Sequence, residues 1–184
     1  MGVITPGSEI KIGDIGFART NGAMGRLIRL GEWLKWRESH YNHVFVVVST
    51  GVTAENIWVV EATLKGVKLT LLSDLLASGA EIDIFRPPVE CNSLKVAEFA
   101  LAQLGSPYGL LSILCITLDI TTPDWFIAFR RKKTWICSAL ASEALRYGGW
   151  LEDWDDIYIT TPTMLYLRLT AKKVVKRPCT GLKS

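Results

Sequence analysis

A chain of 184 residues, 49% of them hydrophobic, can bury a core without disulfides or a structural metal, and it is read as a single domain spanning residues 1–184. Its formal net charge of +3 is too small to argue for nucleic acid, which needs a clustered basic face. Cys91, Cys115, Cys137 and Cys179 form no CxxC pair and no His/Cys spacing suited to zinc, so free thiols in a reducing compartment are expected, with no metal and no cofactor.

The opening "MGVITPGSEIKIGDIGF" lacks the basic start and apolar run of a signal peptide, which points to a cytoplasmic protein. "IKIGDIGFAR" reads as a first strand bent at Gly13-Asp14. From 22 to 37, Met24, Leu27, Ile28, Leu30 and Leu34 recur at helical spacing among Arg26, Arg29, Lys35 and Arg37, a basic amphipathic helix that either covers the core or, through Trp33 and Trp36, touches a membrane. "HVFVVVS" and "IWVVEAT", separated by the turn-rich "TGVTAEN", read as two strands of a hairpin. "GVKLTLL" at 66–72 and "EIDIFRP" at 81–87 add two more, giving a mostly antiparallel sheet.

Helices follow. "NSLKVAEFALAQLG" opens on Asn92 or Ser93 as a cap, carries apolar residues at 94, 97, 101 and 104, and stops at Gly105. The apolar stretch "YGLLSILCITLDI" at 108–120 is well short of the roughly 20 residues that span a bilayer. "CSALASEALRYGG" is a helix closed by Gly148, and "TTPTMLYLRL" has a threonine cap with Pro162 at its first position, ahead of a basic mobile tail from about 171. The class is α+β.

Cys137 stands where a helix begins. An unpaired cysteine there is either a small buried hydrophobe or a thiolate assisted by the helix amino terminus, and partners elsewhere decide between the two. The chain has two histidines, His40 and His43, and His43 is the better base because it heads a strand whereas His40 lies in a polar connector. A hairpin centred on Val52 sets Glu61 opposite His43, where a carboxylate fixes the tautomer of an imidazole. Taken singly, His43 reads first as a satisfied core histidine and Glu61 as an edge-strand charge; together with the cysteine helix they suggest nucleophilic catalysis.

The succession "HVFVVV", "VVEAT", "GSPYG", "WICSALASEAL" and "ITTP" resembles the circularly permuted papain-like cysteine hydrolases of the NlpC superfamily, the YiiX/YebB-like branch related to the lecithin retinol acyltransferase group. The resemblance runs from "GDIGFAR" to "TTPTM". It implies a small, mostly antiparallel sheet or half-barrel packed against helices, with the nucleophile helix after the sheet. It also implies Cys137 as nucleophile, His43 as base, Glu61 as orienting residue and Tyr108 as a substrate-binding aromatic, the alternative for Tyr108 being a core tyrosine. The oxyanion donors it implies are backbone amides, including that of Cys137.

The function expected is a thiol hydrolase or acyltransferase acting through a thioester on an amide or ester, the substrate being a cell-wall peptide or a lipid or other acyl compound. Wall cleavage without a signal peptide calls for phage-encoded or injected delivery. The segment 109–133, with Trp125, Phe126 and Phe129 beside "RRKK", is either a lid contacting a lipid surface or an apolar helix of the core. The rival from another class is a non-catalytic binding or structural module that keeps the fold.

Overall fold

The computed structural model describes residues 10–20, 41–109, 134–150, 160–171 and 175–178. Six strands form one sheet: β1 (Ile15–Arg19), β2 (His43–Val47), β3 (Trp58–Thr63), β4 (Gly66–Leu71), β5 (Glu81–Arg86) and β6 (Val175–Pro178). Their order is β4-β3-β2-β1-β5-β6 and every pairing is antiparallel. The helices are α1 (Leu72–Ala77), α2 (Ser93–Ala102), α3 (Cys137–Tyr147) and α4 (Pro162–Ala171).

Strand parity explains why "HVFVVV" is an unbroken apolar run. Alternate side chains point to opposite faces of a sheet, and here both faces are covered. Val44 and Val46 of β2 join Ile15, Phe17, Val60 and Ala62 in a core shared with residues of α2, α3 and α4. Phe45 and Val47 point the other way, into a second core with Val59, Ile82, Ile84 and the α1 residues Leu72 and Leu75. Gly16 is directly opposite Phe45 across the ladder, and a Cβ there would lie 2.0 Å from the Phe45 ring. The missing side chain at Gly16 is therefore what lets the phenyl ring lie flat over β1.

The α+β class and the papain-like architecture hold, with differences in detail. The first strand is shorter than expected, because the chain turns at Gly13 (φ +83°) before the ladder begins. The segment after "GVKLTL" winds into α1, which sequence reading did not anticipate. In α2 the Asn92 side chain accepts from the Lys95 amide, as a cap should, and Ala97 is buried as expected, but Val96 and Ala100 are buried beside it while Leu94 is 69% exposed. α3 ends at Tyr147 and is closed by Gly148 as expected, which keeps a right-handed conformation; the left-handed residue is the next one, Gly149, at φ +84°. The Thr161 hydroxyl accepts from the Met164 amide at 3.2 Å and so caps α4 as expected. Residues 175–178, expected in a mobile tail, pair with β5 from Asp83 to Arg86 because edge pairing uses backbone groups whatever the side chains. The basic helix at 22–37 and nearly all of the segment 109–133 lie outside the described residues.

Among the described residues no helix is long and apolar enough to cross a membrane.

Candidate active site

α3 begins at Cys137, preceded by Ile136 in an extended conformation with no side-chain cap. The first-turn amides therefore carry the positive end of the helix unneutralised beside the cysteine. The helix entry is fixed from both sides. Trp135 pairs in parallel with Tyr108, the Gly109 amide donating to the Trp135 carbonyl at 3.0 Å and the Trp135 amide to the Pro107 carbonyl at 3.1 Å. The indole of Trp135 donates to Gln103 Oε1 at 3.0 Å, and the buried Ser138 hydroxyl donates to the Thr160 carbonyl just ahead of α4.

His43 is the first residue of β2, and its neighbour Asn42 secures that strand end. The buried Asn42 amide donates to the Thr20 carbonyl at 2.8 Å and accepts from the Thr20 amide at 2.9 Å, clasping the exit of β1 to the entry of β2. Glu61 sits in β3 with its side chain only 4% exposed. The expected register is corrected: Glu61 is opposite Phe45, not His43, because the connection contains a 3-10 turn at Ala54–Asn56 and its centre moves from Val52 to Thr53. A displacement of two residues preserves the face. His43 and Glu61 consequently meet on the diagonal, with 2.6 Å between His43 Nε2 and Glu61 Oε2.

Both carboxylate oxygens of Glu61 are engaged. Oε1 accepts from the Thr70 hydroxyl at 2.7 Å and lies 3.1 Å from the Lys68 ammonium, while Oε2 takes the imidazole. Burial works against a charged carboxyl, but the His43 hydrogen bond and positive charge, then Thr70 and Lys68, outweigh it and hold the group down at about 2. Burial likewise works against a charged imidazole at His43, which is 15% exposed. Hydrogen bonds to Cys137 and Glu61, and the negative charge available on both, lift it to about 10. With Nε2 committed to Glu61, Nδ1 is the nitrogen left for the cysteine. Tyr108 is pushed above the ordinary phenol range, first by burial and then by the charge on Cys137.

These groups share a cleft of about 230 Å³ whose wall includes Cys137, His43, Glu61, Tyr108, Leu64 and Leu75. Phe45 is buried in the second core, its ring turned away over Gly16. The four residues singled out in the sequence are thus brought together. Lys68, Thr70 and the Thr20–Asn42 clasp were missed, although the alternation in "GVKLTLL" already set Lys68 and Thr70 on one face of the strand after Glu61. Cys91, the other described free thiol, is buried away from the cleft against α3 and pushed up to about 11 by burial. Among the described residues no cluster of His, Cys, Asp and Glu suits a metal ion.

The order of these parts along the chain, strand histidine before helix cysteine, is that of a permuted papain fold. A family model described as permuted papain-like amidase enzyme, YaeF/YiiX, C92 family, matches residues 9–114. The chain belongs to this family. The matched segment carries His43, Glu61 and Tyr108 and ends before Cys137. No curated protein matches the chain. Membership makes it a papain-like cysteine hydrolase of the amidase type.

Proposed function

We propose that this amidase works through a Cys137–His43–Glu61 triad. The observation that carries the reading is the imidazole of His43, bonded through Nε2 to Glu61, in a cleft whose wall Cys137 shares. The attacking form of a cysteine is the thiolate, and an imidazole that keeps its proton to about pH 10 stands ready as the acid beside it. The Cys137 sulfur adds to the carbonyl carbon of an amide or ester, and the oxygen takes up negative charge. Uncapped amides at the start of α3, that of Cys137 included, stabilise it. His43 then gives its proton to the departing amine or alcohol, leaving a thioester on Cys137. Water resolves the thioester in hydrolysis, and a second nucleophile resolves it in acyl transfer. Glu61 keeps Nε2 as the protonated nitrogen and aims Nδ1 at the sulfur. Tyr108 lies against the incoming substrate, and Leu64 and Leu75 give the cleft an apolar wall suited to the aliphatic part of an acyl group or peptide side chain.

Brief treatment with iodoacetamide near pH 6, read by intact mass and peptide mapping, tests the reading. One rapid adduct at Cys137 is expected. Equal slow labelling of all four cysteines would favour a non-catalytic module that retains the fold.

A further inference from the structure

We infer that Lys68 and Thr70 are positioning residues of this site, which extend the Cys137–His43–Glu61 line to a fixed carboxylate with a counter-charge behind it. The inference rests on the triad reading above and goes beyond it, because neither residue lies among the cleft-lining groups and both act only through Glu61.

The geometry is specific. Lys68 is directly opposite Glu61 in the β3–β4 ladder, and Thr70, two residues on, projects from the same face of β4. The hairpin between them is closed by the turn at Leu64-Lys65 with Gly66 at φ +104°, so this register is set by the turn itself. Both donors converge on one oxygen, Oε1, while Oε2 alone faces His43. A glutamate has a free χ3 rotation that would otherwise let either oxygen, or neither, face the ring. Engaging Oε1 from two directions removes that freedom.

Charge supplies the second argument. The groups facing one another among the described residues are Lys68 and Thr70 from β4, Glu61 from β3, His43 from β2, Cys137 from α3 and Tyr108 beside it. In the reactive state the line reads Lys68 positive, Glu61 negative, His43 positive, Cys137 negative, so every charge has an opposite neighbour and the set is neutral. Without the ammonium the same line carries a net negative charge in a largely buried place, which the imidazolium must balance alone. An unopposed carboxylate holds the imidazolium proton more tightly and makes His43 a poorer acid toward the leaving group. Lys68 therefore tempers Glu61, and because its side chain is 47% exposed the effect is moderate.

The chain has only two histidines, so a pH titration of the ring resonances by NMR resolves His43 from His40 in the intact protein. Lys68→Met keeps the aliphatic stem and removes the charge; it should raise the His43 midpoint by on the order of half a pH unit, and Lys68→Arg should return it to the parent value. Thr70→Val keeps the shape and removes the donor; alkylation of Cys137 by iodoacetamide at pH 7 should slow roughly tenfold, with Thr70→Ser restoring it. Glu61→Gln should lower the His43 midpoint by more than about one pH unit. If Glu61→Gln lowers it while Lys68→Met leaves the midpoint and Thr70→Val leaves the alkylation rate at parent values, the inference is overturned and the triad stands. If Glu61→Gln itself changes nothing, the triad reading falls and takes this inference with it.

Discussion

Replacing His43 by alanine removes the imidazole bonded to Glu61 Oε2, and its effect on stability should depend on pH with a definite sign. The folded protein holds the His43 proton up to about pH 10, against an ordinary 6.5 in the unfolded chain. A raised value means that the stabilisation is complete below about 6.5 and is lost as pH climbs through about 10. That interval, at about 1.4 kcal/mol per pH unit, sets a ceiling of about 5 kcal/mol. Removing one partner from a buried pair typically costs about 3 to 5 kcal/mol. Glu61 keeps Lys68 and Thr70 on Oε1 in the variant, so the cost should fall at the lower end, about 3 kcal/mol at pH 6. For a chain of this size that corresponds to a melting point lower by roughly 6 to 12 °C. Urea unfolding followed by tryptophan fluorescence, in parent and variant at pH 6 and pH 9.5, measures it. The difference should be large at pH 6 and mostly gone at 9.5. An equal difference at both values would refute the electrostatic account and leave only loss of packing.

Cys137→Ser keeps the volume and the helix start, so its melting point should stay within about 2 °C of the parent while hydrolysis and acyl-enzyme formation disappear, since a hydroxyl is far harder to ionise than a thiol; a serine variant with substantial turnover would remove Cys137 from its role. Gly16→Ala forces a methyl group into the space of the Phe45 ring and should destabilise the domain by about 3 kcal/mol or more, read by denaturant midpoint. Adding Phe45→Leu should recover much of that loss, and a strictly additive double variant would disprove the contact as its cause.

The parts of the fold carried by strong local patterns were readable from the sequence. "HVFVVV" and "IWVVEAT" read as neighbouring strands, and an acid inside the second needs compensation once that strand is covered. The pairing partner of Glu61 was harder, since alternation specifies which face a residue takes but not how many residues the turn consumes, and the 3-10 turn at Ala54–Asn56 displaces the ladder by two. The face of α2 was misjudged for a related reason. Leu94, Leu101 and Leu104 outweigh Val96 and Ala100 in hydrophobicity, yet the smaller residues are the ones packed closely: a Cβ at Gly148 would lie 2.6 Å from Val96. Close packing selects shape, which a hydrophobicity pattern does not record. The support behind Glu61 stayed hidden because Lys68 and Thr70 look like the solvated face of an edge strand until the ladder register sets them against a carboxylate. The pairing of residues 175–178 rests on backbone groups, which leave no trace in side-chain composition.

The separation of His43 and Glu61 from Cys137 along the chain bears on how the protein is made. Synthesis runs from the amino end, and domains gather structure as they emerge. Strands β1 to β5, which carry both the imidazole and its carboxylate, are all translated before Cys137. When Cys137 appears, its helix is unfinished and no imidazole stands beside it. It acquires its partner only when α3 docks on the sheet and Ser138 ties that helix to the chain ahead of α4. In the proposed triad, therefore, the sulfur meets its imidazole only in molecules whose sheet and helices have already come together.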